Sequence, residues 1–380
     1  MKRVNKDKAI VLVCSFLVVS FLTLFVLTLY EKYSAKELTG EKKQVSTNGI
    51  VLNKTNYYVP LNSEVVLDIY NPNNADYKIN ILDKEVISLE DGKIIAKKIG
   101  YSDFSIEINN FNAYSGRVYV MNGIRLPDQE FDKSKQYVAC NEFSEEENRL
   151  LDEALKDRVK SSGEATRAGV VAAARFITME FDRRIAYFYE NGRLNNYEGR
   201  HVDGEGRYYH KGLYLNESKF NEIEASFTGP ATWGCRITQY EDEPGYGYYP
   251  GDRKPNGFDC SGFISWVLYN GGFDVKDTGA GDIAYRKDDL YDLGEQRWLN
   301  QALLDSGVVK VGDLIAYPGH MAMIAGIGPD GHYYVVESLP NFKGVVMNNY
   351  SQPGLIATFT HVMLMDSVYG KDGNLTNMWY

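Results

Sequence analysis

Two segments of this sequence each hold a residue type suited to nucleophilic chemistry. The first is Gly257-Phe258-Asp259-Cys260-Ser261-Gly262-Phe263, in which a cysteine follows a glycine-containing turn. The second, residues 311–326, contains His320 about 60 residues further along the chain. A thiolate attacks acyl carbons, and a neighbouring imidazole can take the proton of the thiol. The chemistry that these residue types suggest is acyl transfer.

Cys260 is predicted to open a helix. Apolar residues follow it on one face of a 3.6-residue period, at Phe263, Ile264, Val267 and Leu268. Asp259 is a natural N-cap for such a helix. In the first turn, unpaired amides and the positive end of the helix dipole favour a thiolate and can receive an oxyanion. The alternative is an ordinary core cysteine, because cysteine is among the most buried residue types.

His320 is predicted to stand at the start of a strand. Residues 311–326 have the pattern of a strand, a tight turn at Pro318-Gly319 and a second strand. His320 shares one face of that second strand with Ala322 and Ile324. A histidine at the start of a strand can meet a thiol at the start of a helix.

Together the two segments resemble the NlpC-type papain-like cysteine peptidases, bacterial enzymes that cut the stem peptides of peptidoglycan. The resemblance rests on FDCSGF, with its apolar helix, followed by GDLIAYPGH-MAMIAG, and it covers roughly residues 140–368. It implies that Cys260 is the nucleophile. It also implies that His320 is the base that takes the thiol proton and later protonates the leaving amine. Backbone amides near Cys260 and Ser261 would stabilise the oxyanion.

The resemblance also implies a substrate. The expected partner is peptidoglycan, and the expected bond is the D-glutamyl to diamino-acid link of the stem peptide. A close alternative is the cut between muramic acid and L-alanine made by related CHAP-type amidases. An alternative of another class is a non-catalytic wall-binding or scaffold protein that keeps the groove. A thiol mechanism needs no metal and no other cofactor.

Two residues are candidates for the role of orienting the imidazole. The NlpC family commonly has a histidine at this place, whereas this chain offers Glu337, and CHAP-type enzymes use a glutamate there. If Asp330-Gly331 forms a two-residue turn, His320 pairs with Asn341 and lies about 13 Å along the strand from Glu337. A wider loop places His320 directly opposite Glu337. We prefer Glu337, because a carboxylate also stabilises the imidazolium.

A tyrosine that the family carries shortly before its cysteine is absent from its usual place. The nearest equivalent of the family's Tyr-x-Trp-Gly strand is Thr232-Trp233-Gly234, and residues 235–256 then form an insertion. Tyr248 and Tyr249 are candidates to replace that tyrosine. The residues expected to support the substrate or the oxyanion are Asp259, Ser261, Trp233 and Asn341.

The first thirty residues predict a membrane anchor. Lysines and an arginine precede an uncharged apolar run over residues 9–30, whose 22 residues can span a bilayer as a helix. A cleavable signal peptide has a shorter apolar core and a small-residue cleavage site, and neither is evident here. Positive flanking charge keeps the N-terminus inside. We therefore expect a single-pass protein of the cell membrane with an extracytoplasmic catalytic domain.

The net charge and the cysteines limit which partners and which cellular compartment we expect. A net charge of −10 over 380 residues argues against nucleic acid as a partner. In an oxidising compartment, a disulfide between Cys140 and Cys235 would leave Cys260 free as a thiol. Three dispersed cysteines do not make a disulfide framework, so both the paired and the unpaired state stay open.

The predicted fold class is α+β. It combines a papain-like cysteine peptidase domain, with helices followed by an antiparallel sheet, with an N-terminal Ig-like β-sandwich and one transmembrane helix. Short alternating runs between turn residues predict the sandwich, and a hairpin at Asp91-Gly92 resembles bacterial Ig-like domains of surface proteins. Ser144 to Glu147 has capping-box spacing and opens a helix, and a second helix is predicted over about residues 166–187.

These elements give an order of domains along the chain. The predicted order is a cytoplasmic tail over residues 1–8, a transmembrane anchor over 9–30, a linker over 31–45, an Ig-like β-sandwich over 46–124, a second linker over 125–141 and the peptidase domain over 142–380.

Overall fold

The protein is described from a computed structural model. The structure describes residues 47, 49–125, 135–189, 211–218, 232–238, 244–275, 293–341 and 343–374. These residues fall into two compact units. The first unit consists of the residues up to Asn53 together with Asp68–Asn80 and Ser105–Ser115, and the second consists of Lys54–Leu67, Ile81–Phe104 and the chain from Gly116 onward.

Short strands occupy the described residues before position 125. They are β1 Val51–Leu52, β2 Asn56–Pro60, β3 Glu64–Val66, β4 Ile69–Tyr70, β5 Lys78–Ile81, β6 Ile87–Glu90, β7 Lys93–Ala96, β8 Gly100–Ile108 and β9 Phe111–Met121. In the first unit β1 pairs antiparallel with β4, and the Tyr114 hydroxyl donates to the Ile50 carbonyl at 2.8 Å. In the second unit β2 pairs in parallel with β9, and β3, β7 and β6 form an antiparallel sheet.

The predicted Asp-Gly hairpin is confirmed. Strands β6 and β7 pair up to Glu90 and Lys93, so Asp91 and Gly92 form the two-residue turn between them. Both turn residues have positive φ, 49° and 79°, as a two-residue turn that follows the twist of its strands requires.

Two helices follow the N-terminal strands. Helix α1, Glu145–Ser162, begins at Ser144, whose side chain accepts from the Glu147 amide while the Glu147 carboxylate accepts from the Ser144 amide, so the predicted capping box is confirmed. Helix α2, Arg167–Arg175, begins at the N-cap Thr166 and continues as a π-helical turn, Phe176–Glu180. It ends before the predicted residue 187, because the chain becomes extended at Phe181.

The remaining elements of the described residues follow from position 186 onward. They are β10 Ala186–Tyr187, β11 Arg236–Thr238, the 3₁₀ turn Pro244–Tyr246, β12 Arg253–Pro255, β13 Gly257–Phe258, α3 Cys260–Asn270, β14 Glu295–Trp298, α4 Gln301–Asp305, β15 Leu314–Tyr317, β16 His320–Ile327, β17 Tyr333–Leu339, β18 Gly344–Tyr350, α5 Gln352–Thr358, β19 His361–Leu364 and α6 Asp366–Tyr369. The predicted succession of strand, Pro-Gly turn and strand around His320 is confirmed by β15 and β16.

Eight of these strands form one sheet in the order β13-β10-β18-β17-β16-β15-β19-β14. Strands β10 and β13 are parallel, and the other pairs in the sheet are antiparallel. Both faces of the sheet are covered, so β16 is buried along almost its whole length instead of alternating between apolar and polar residues.

Alternate residues of the central strands enter two separate cores. One core joins helices α1, α2 and α3 to the sheet residues Leu314, Ala316, Met321, Met323 and Met363. The other joins the sheet residues Ile315, Ala322, Ile324, Val335 and Val362 to Leu304 of α4 and Leu355 of α5. The cysteine-bearing helix α3 therefore packs on one face of the strand that begins with His320.

The predicted fold class needs correction. The structure is mixed α/β, and its large sheet is neither wholly antiparallel nor confined to the chain after the helices. Strands β10 and β13 lie between the helices in sequence and join the sheet as a parallel pair. They have two residues each, which is too short for a periodic signal in the sequence. The N-terminal strands are also divided between the two compact units and do not make one separate sandwich.

The predicted transmembrane helix and membrane localisation are also corrected. In the described part of the chain, no helix is long and apolar enough to cross a membrane. Among the described helices the longest, Glu145–Ser162, has 18 residues and includes acidic and basic side chains that a bilayer core disfavours. The predicted anchor, residues 9–30, lies outside the described residues, as do the tail before it and the linker after it.

Candidate active site

Cys260 is the first residue of helix α3. The Asp259 side chain accepts from the Gly262 amide at 2.9 Å and from the Ser261 hydroxyl at 3.1 Å, so its predicted role as N-cap is confirmed. Gly257 fixes the approach to this turn, because a Cβ at that position would lie 1.9 Å from the Ala186 carbonyl oxygen of the parallel strand β10. Only glycine allows the two backbones to come so close.

The thiol of Cys260 lies against the residues on either side of His320. Its Sγ donates to the Gly319 carbonyl at 3.8 Å. The backbone amides of Met321, Ser261 and Cys260 itself also hydrogen-bond to the sulfur and favour its anion. The amides of Cys260 and Ser261 are those that the sequence predicted to receive an oxyanion.

Burial, however, dominates the ionisation of this thiol. Burial and then the Asp259 carboxylate raise the pKa of Cys260 to about 12. The lowered pKa that a helix N-terminus alone would give is therefore not found, and the thiol of the free protein carries its proton at neutral pH. Any nucleophilic attack by Cys260 needs a base that removes this proton during the reaction.

His320 and Glu337 form a buried pair. His320 Nε2 donates to Glu337 Oε2 at 2.9 Å, and the two residues are 1 % and 0 % exposed. Because Nε2 faces the carboxylate, Nδ1 is the ring nitrogen that would accept a thiol proton. A carboxylate so placed fixes the tautomer of the imidazole and stabilises its protonated form.

The strand register that brings His320 and Glu337 together differs from both predicted registers. Strands β16 and β17 pair Ile327 with Tyr333 at the turn, and an irregularity between Ile324 and Gly326 shifts the register so that Met323 pairs with Val336. If this register continues along the strands, the residue directly opposite His320 is two positions away from Glu337. The two side chains share a face and meet diagonally, a distance that long side chains span.

The second oxygen of Glu337 is held by two residues that the sequence analysis missed. Glu337 Oε1 accepts from Asn348 Nδ2 at 2.6 Å and from the Tyr350 hydroxyl at 2.9 Å. Burial and the Glu337 charge raise the pKa of Tyr350, so its hydroxyl keeps its proton and donates. Alternation on a buried strand was the available signal, because Asn348 and Tyr350 are two residues apart and therefore share one face. Asn341, the other candidate partner of His320, is exposed in the turn after β17.

Tyr187 is a further residue near the thiol that the sequence analysis did not single out. Strand β10 carries it beside Phe258, the residue two before Cys260. Burial raises the pKa of Tyr187, and the charges of Asp259 and Cys260 raise it further, which places its phenol within electrostatic reach of both. No sequence pattern marked this tyrosine, because its strand has two residues and pairs far along the chain.

The aromatic residues that the sequence did single out are Tyr248, Tyr249 and Trp233. The Tyr248 hydroxyl donates to the Tyr187 carbonyl at 3.3 Å, and its ring packs on Tyr187 with centroids 5.7 Å apart. Tyr249 is 50 % exposed. Trp233 is fully buried and packs edge-on against Phe258 at 5.0 Å, so it supports the turn from inside the core and offers no surface to a substrate.

A disulfide supports the same turn. Cys140 and Cys235 are bonded, and among the described residues Cys260 is the free cysteine. The Cys235 carbonyl accepts from the Asn256 amide at 2.7 Å, four residues before Cys260. The disulfide thus ties the start of the cysteine segment to the chain just before helix α1.

In the part of the chain that the structure describes, no group of three or more His, Cys, Asp or Glu side chains could hold a metal ion. No protein-family model matches the chain. No curated protein matches it either. The likeness to NlpC-type peptidases thus rests on the two motifs that contain Cys260 and His320.

Proposed function

We propose that this protein is a cysteine hydrolase that forms an acyl thioester on Cys260, with His320 as the base and Glu337 as the residue that orients the base. The observation that supports this most is the position of the thiol. It lies at the N-terminus of α3, against the two backbone neighbours of a buried His320–Glu337 pair.

The proposed reaction has two halves. In the first, the thiol hydrogen turns from the Gly319 carbonyl to His320 Nδ1, and the sulfur attacks the acyl carbon of an amide. The amides of Cys260 and Ser261 receive the oxyanion, and the imidazolium gives its proton to the leaving amine as the C–N bond breaks. In the second half, His320 takes a proton from water, the hydroxide attacks the thioester, and the C–S bond breaks as the imidazolium returns its proton to the sulfur.

The raised pKa of Cys260 gives Glu337 a definite role. Proton transfer from a neutral thiol creates an ion pair in a buried site, which costs free energy. The Glu337 carboxylate offsets this cost, because it lies 2.9 Å from the imidazole that becomes positive. In the proposed mechanism the thiol is neutral before the reaction, and the Glu337 carboxylate stabilises the imidazolium that forms when the thiol loses its proton.

The proposed substrate is an amide bond of peptidoglycan, and this rests on the resemblance of the two motifs to NlpC-type peptidases. The first candidate bond is the D-glutamyl to diamino-acid link of the stem peptide. The second is the bond between muramic acid and L-alanine. The contact of Glu337 with His320 favours this second candidate, because CHAP-type amidases have a glutamate where the NlpC family commonly has a histidine.

The experiment is mass spectrometry of fragments released from purified peptidoglycan by the full chain and by its Cys260→Ser variant. New fragments from the wild type alone would support the hydrolase, and their masses distinguish stem-peptide cleavage from amidase cleavage. No release by either protein, with both folded by circular dichroism and several wall chemistries tried, would refute it and favour a non-catalytic wall-binding protein.

A further inference from the structure

Both oxygens of the Glu337 carboxylate accept hydrogen bonds, one from His320 and the other from two further residues. Its Oε2 accepts from His320, while its Oε1 accepts from Asn348 and Tyr350. We propose that Asn348 and Tyr350 are positioning residues, which set the rotation of the Glu337 carboxylate and through it the tautomer of His320. This inference rests on the proposed function, in which His320 acts as the base.

The need for such residues follows from the freedom of a glutamate side chain. Rotation about its last bond turns one oxygen or the other toward a partner, and this torsion has only a broad intrinsic preference. Two donors on Oε1, at 2.6 and 2.9 Å, fix the plane of the carboxylate so that Oε2 faces Nε2 of the imidazole. Both donors are uncharged, so the negative charge of Glu337 remains available to the imidazolium.

Strand pairing explains why these two residues reach the carboxylate. Asn348 lies opposite Val335 and Tyr350 lies opposite Tyr333 in the pairing of β17 with β18. Glu337 shares the face of β17 that carries Val335 and Tyr333. Asn348 is buried, and the residue after it, Asn349, faces the opposite side and is exposed. One strand thus offers both a test residue and a matched control of the same type.

The surroundings make these hydrogen bonds matter. The His320 ring packs against Tyr317 at 4.8 Å and Phe359 at 6.1 Å, and the Phe359 ring packs against Tyr350 at 5.6 Å. These aromatic rings limit the water that could replace a lost donor. A carboxylate that loses Asn348 or Tyr350 therefore finds a poor substitute and turns away from the geometry that His320 requires.

The test uses the full chain with ¹⁵N-labelled histidine, in the wild type and in Asn348→Ala, Tyr350→Phe and the double variant. The His320 signal is assigned with a His320→Gln variant. ¹⁵N shifts report which ring nitrogen carries the proton, and they need no substrate. The expected wild-type result is neutral His320 protonated at Nε2. Each single variant is expected to show a mixture of the two tautomers and, on peptidoglycan fragments, a kcat about 10–100-fold lower with KM unchanged.

Asn349→Ala and Tyr333→Phe are the matched controls, and both should leave the tautomer and kcat unchanged. An unchanged His320 tautomer in the folded double variant would overturn the inference, and so would an equal change in the controls. The two readouts separate the inference from the proposed function. If no fragment is released but the tautomer responds, the positioning role stands and the hydrolase fails.

Discussion

Two polar clusters of the second unit each contain a buried pair of a basic and an acidic side chain, but the two clusters have different properties. The His320 cluster consists of His320, Glu337, Asn348 and Tyr350. The Arg167 cluster consists of Arg167, Asp313, Asp366 and Asp372, and its arginine is 1 % exposed. Each cluster places a cationic or potentially cationic side chain beside a buried carboxylate. The difference between them lies in whether that charge can change.

The Arg167 cluster holds a permanent charge. Arg167 Nη1 donates to Asp313 at 2.8 Å and to the Val311 carbonyl at 2.9 Å, and its other nitrogens bond to Asp366 and Asp372. Burial alone would lower the pKa of Arg167, but its hydrogen bond to Asp313 and the charge of Asp313 raise it overall. An arginine paired on all sides can stabilise the chain but cannot exchange a proton.

The His320 cluster is built around a side chain that can exchange a proton. An imidazole ring has one nitrogen that donates and one that accepts, and this ring belongs to the residue between the two that contact the Cys260 thiol. Asp313 and His320 both belong to the segment whose sequence resembles the NlpC family. The comparison supports a structural role for the motif's aspartate and, in the proposed mechanism, a chemical role for its histidine.

The largest expected effect is on activity and comes from Glu337→Gln. A neutral amide cannot stabilise the imidazolium, so kcat should fall about 10²- to 10⁴-fold, as for other removed or neutralised base partners. The measurement is the rate of fragment release from peptidoglycan. Glu295→Gln, on the exposed strand β14, is the control and should keep full activity. Full activity in Glu337→Gln would contradict the role of the His320 cluster.

Arg167→Ala should act on stability instead of on catalysis. It leaves the buried Asp313 carboxylate without its cation, and breaking such a pair costs about 3–5 kcal/mol of unfolding free energy. Urea denaturation measures this loss. Arg149→Ala is the control, because the Arg149 ion pairs with Glu146 and Glu153 are exposed and contribute about 0–1 kcal/mol. Equal losses in the two variants would remove the distinction between the clusters.

Removal of the disulfide tests whether the cysteine turn depends on a distant covalent support. Cys140→Ser with Cys235→Ser releases a loop of 95 residues, and the unfolding free energy should fall by about 2–4 kcal/mol. Thermal unfolding with and without a reductant checks this. The double variant should no longer respond to the reductant. A wild type that is equally stable when reduced would argue against the disulfide as a support.

The smallest expected effect is a pH dependence of stability. The folded Cys260 thiol keeps its proton up to a pKa of about 12, whereas an unfolded thiol loses it near pH 9. The unfolded state then binds fewer protons, so the contribution is full below pH 9 and decreases as the pH rises toward 12. Between pH 8 and pH 10 the wild type should lose about 1.4 kcal/mol more than Cys260→Ser. Parallel curves for the two proteins would mean that the thiol is not buried in its neutral form.

Local signals predicted the turns and caps of the site but not its long-range contacts. Asp259 as N-cap and the strand that begins at His320 follow from residue types within a few positions. The pairing of His320 with Glu337 depends on a one-residue irregularity near Ala325, which no pattern revealed and which made both predicted registers wrong.

The prediction of the fold class was wrong for a related reason. Strands of two residues, such as β10 and β13, have no period, and their parallel pairing is set by the close approach that Gly257 permits. Arg167 and Asp313 are 146 residues apart, so their ion pair also had no local signal. The partners of the motif residues are therefore set by contacts between distant segments of the chain.

Trapping the acyl group on Cys260 tests the proposed thioester. The full chain is quenched in acid while it turns over peptidoglycan fragments, and the peptide that contains Cys260 is weighed by mass spectrometry. We expect an added acyl mass on Cys260 that neutral hydroxylamine removes and that Cys260→Ser lacks. Fragment release that continues undiminished in Cys260→Ser, with no adduct on the wild-type thiol, would contradict it.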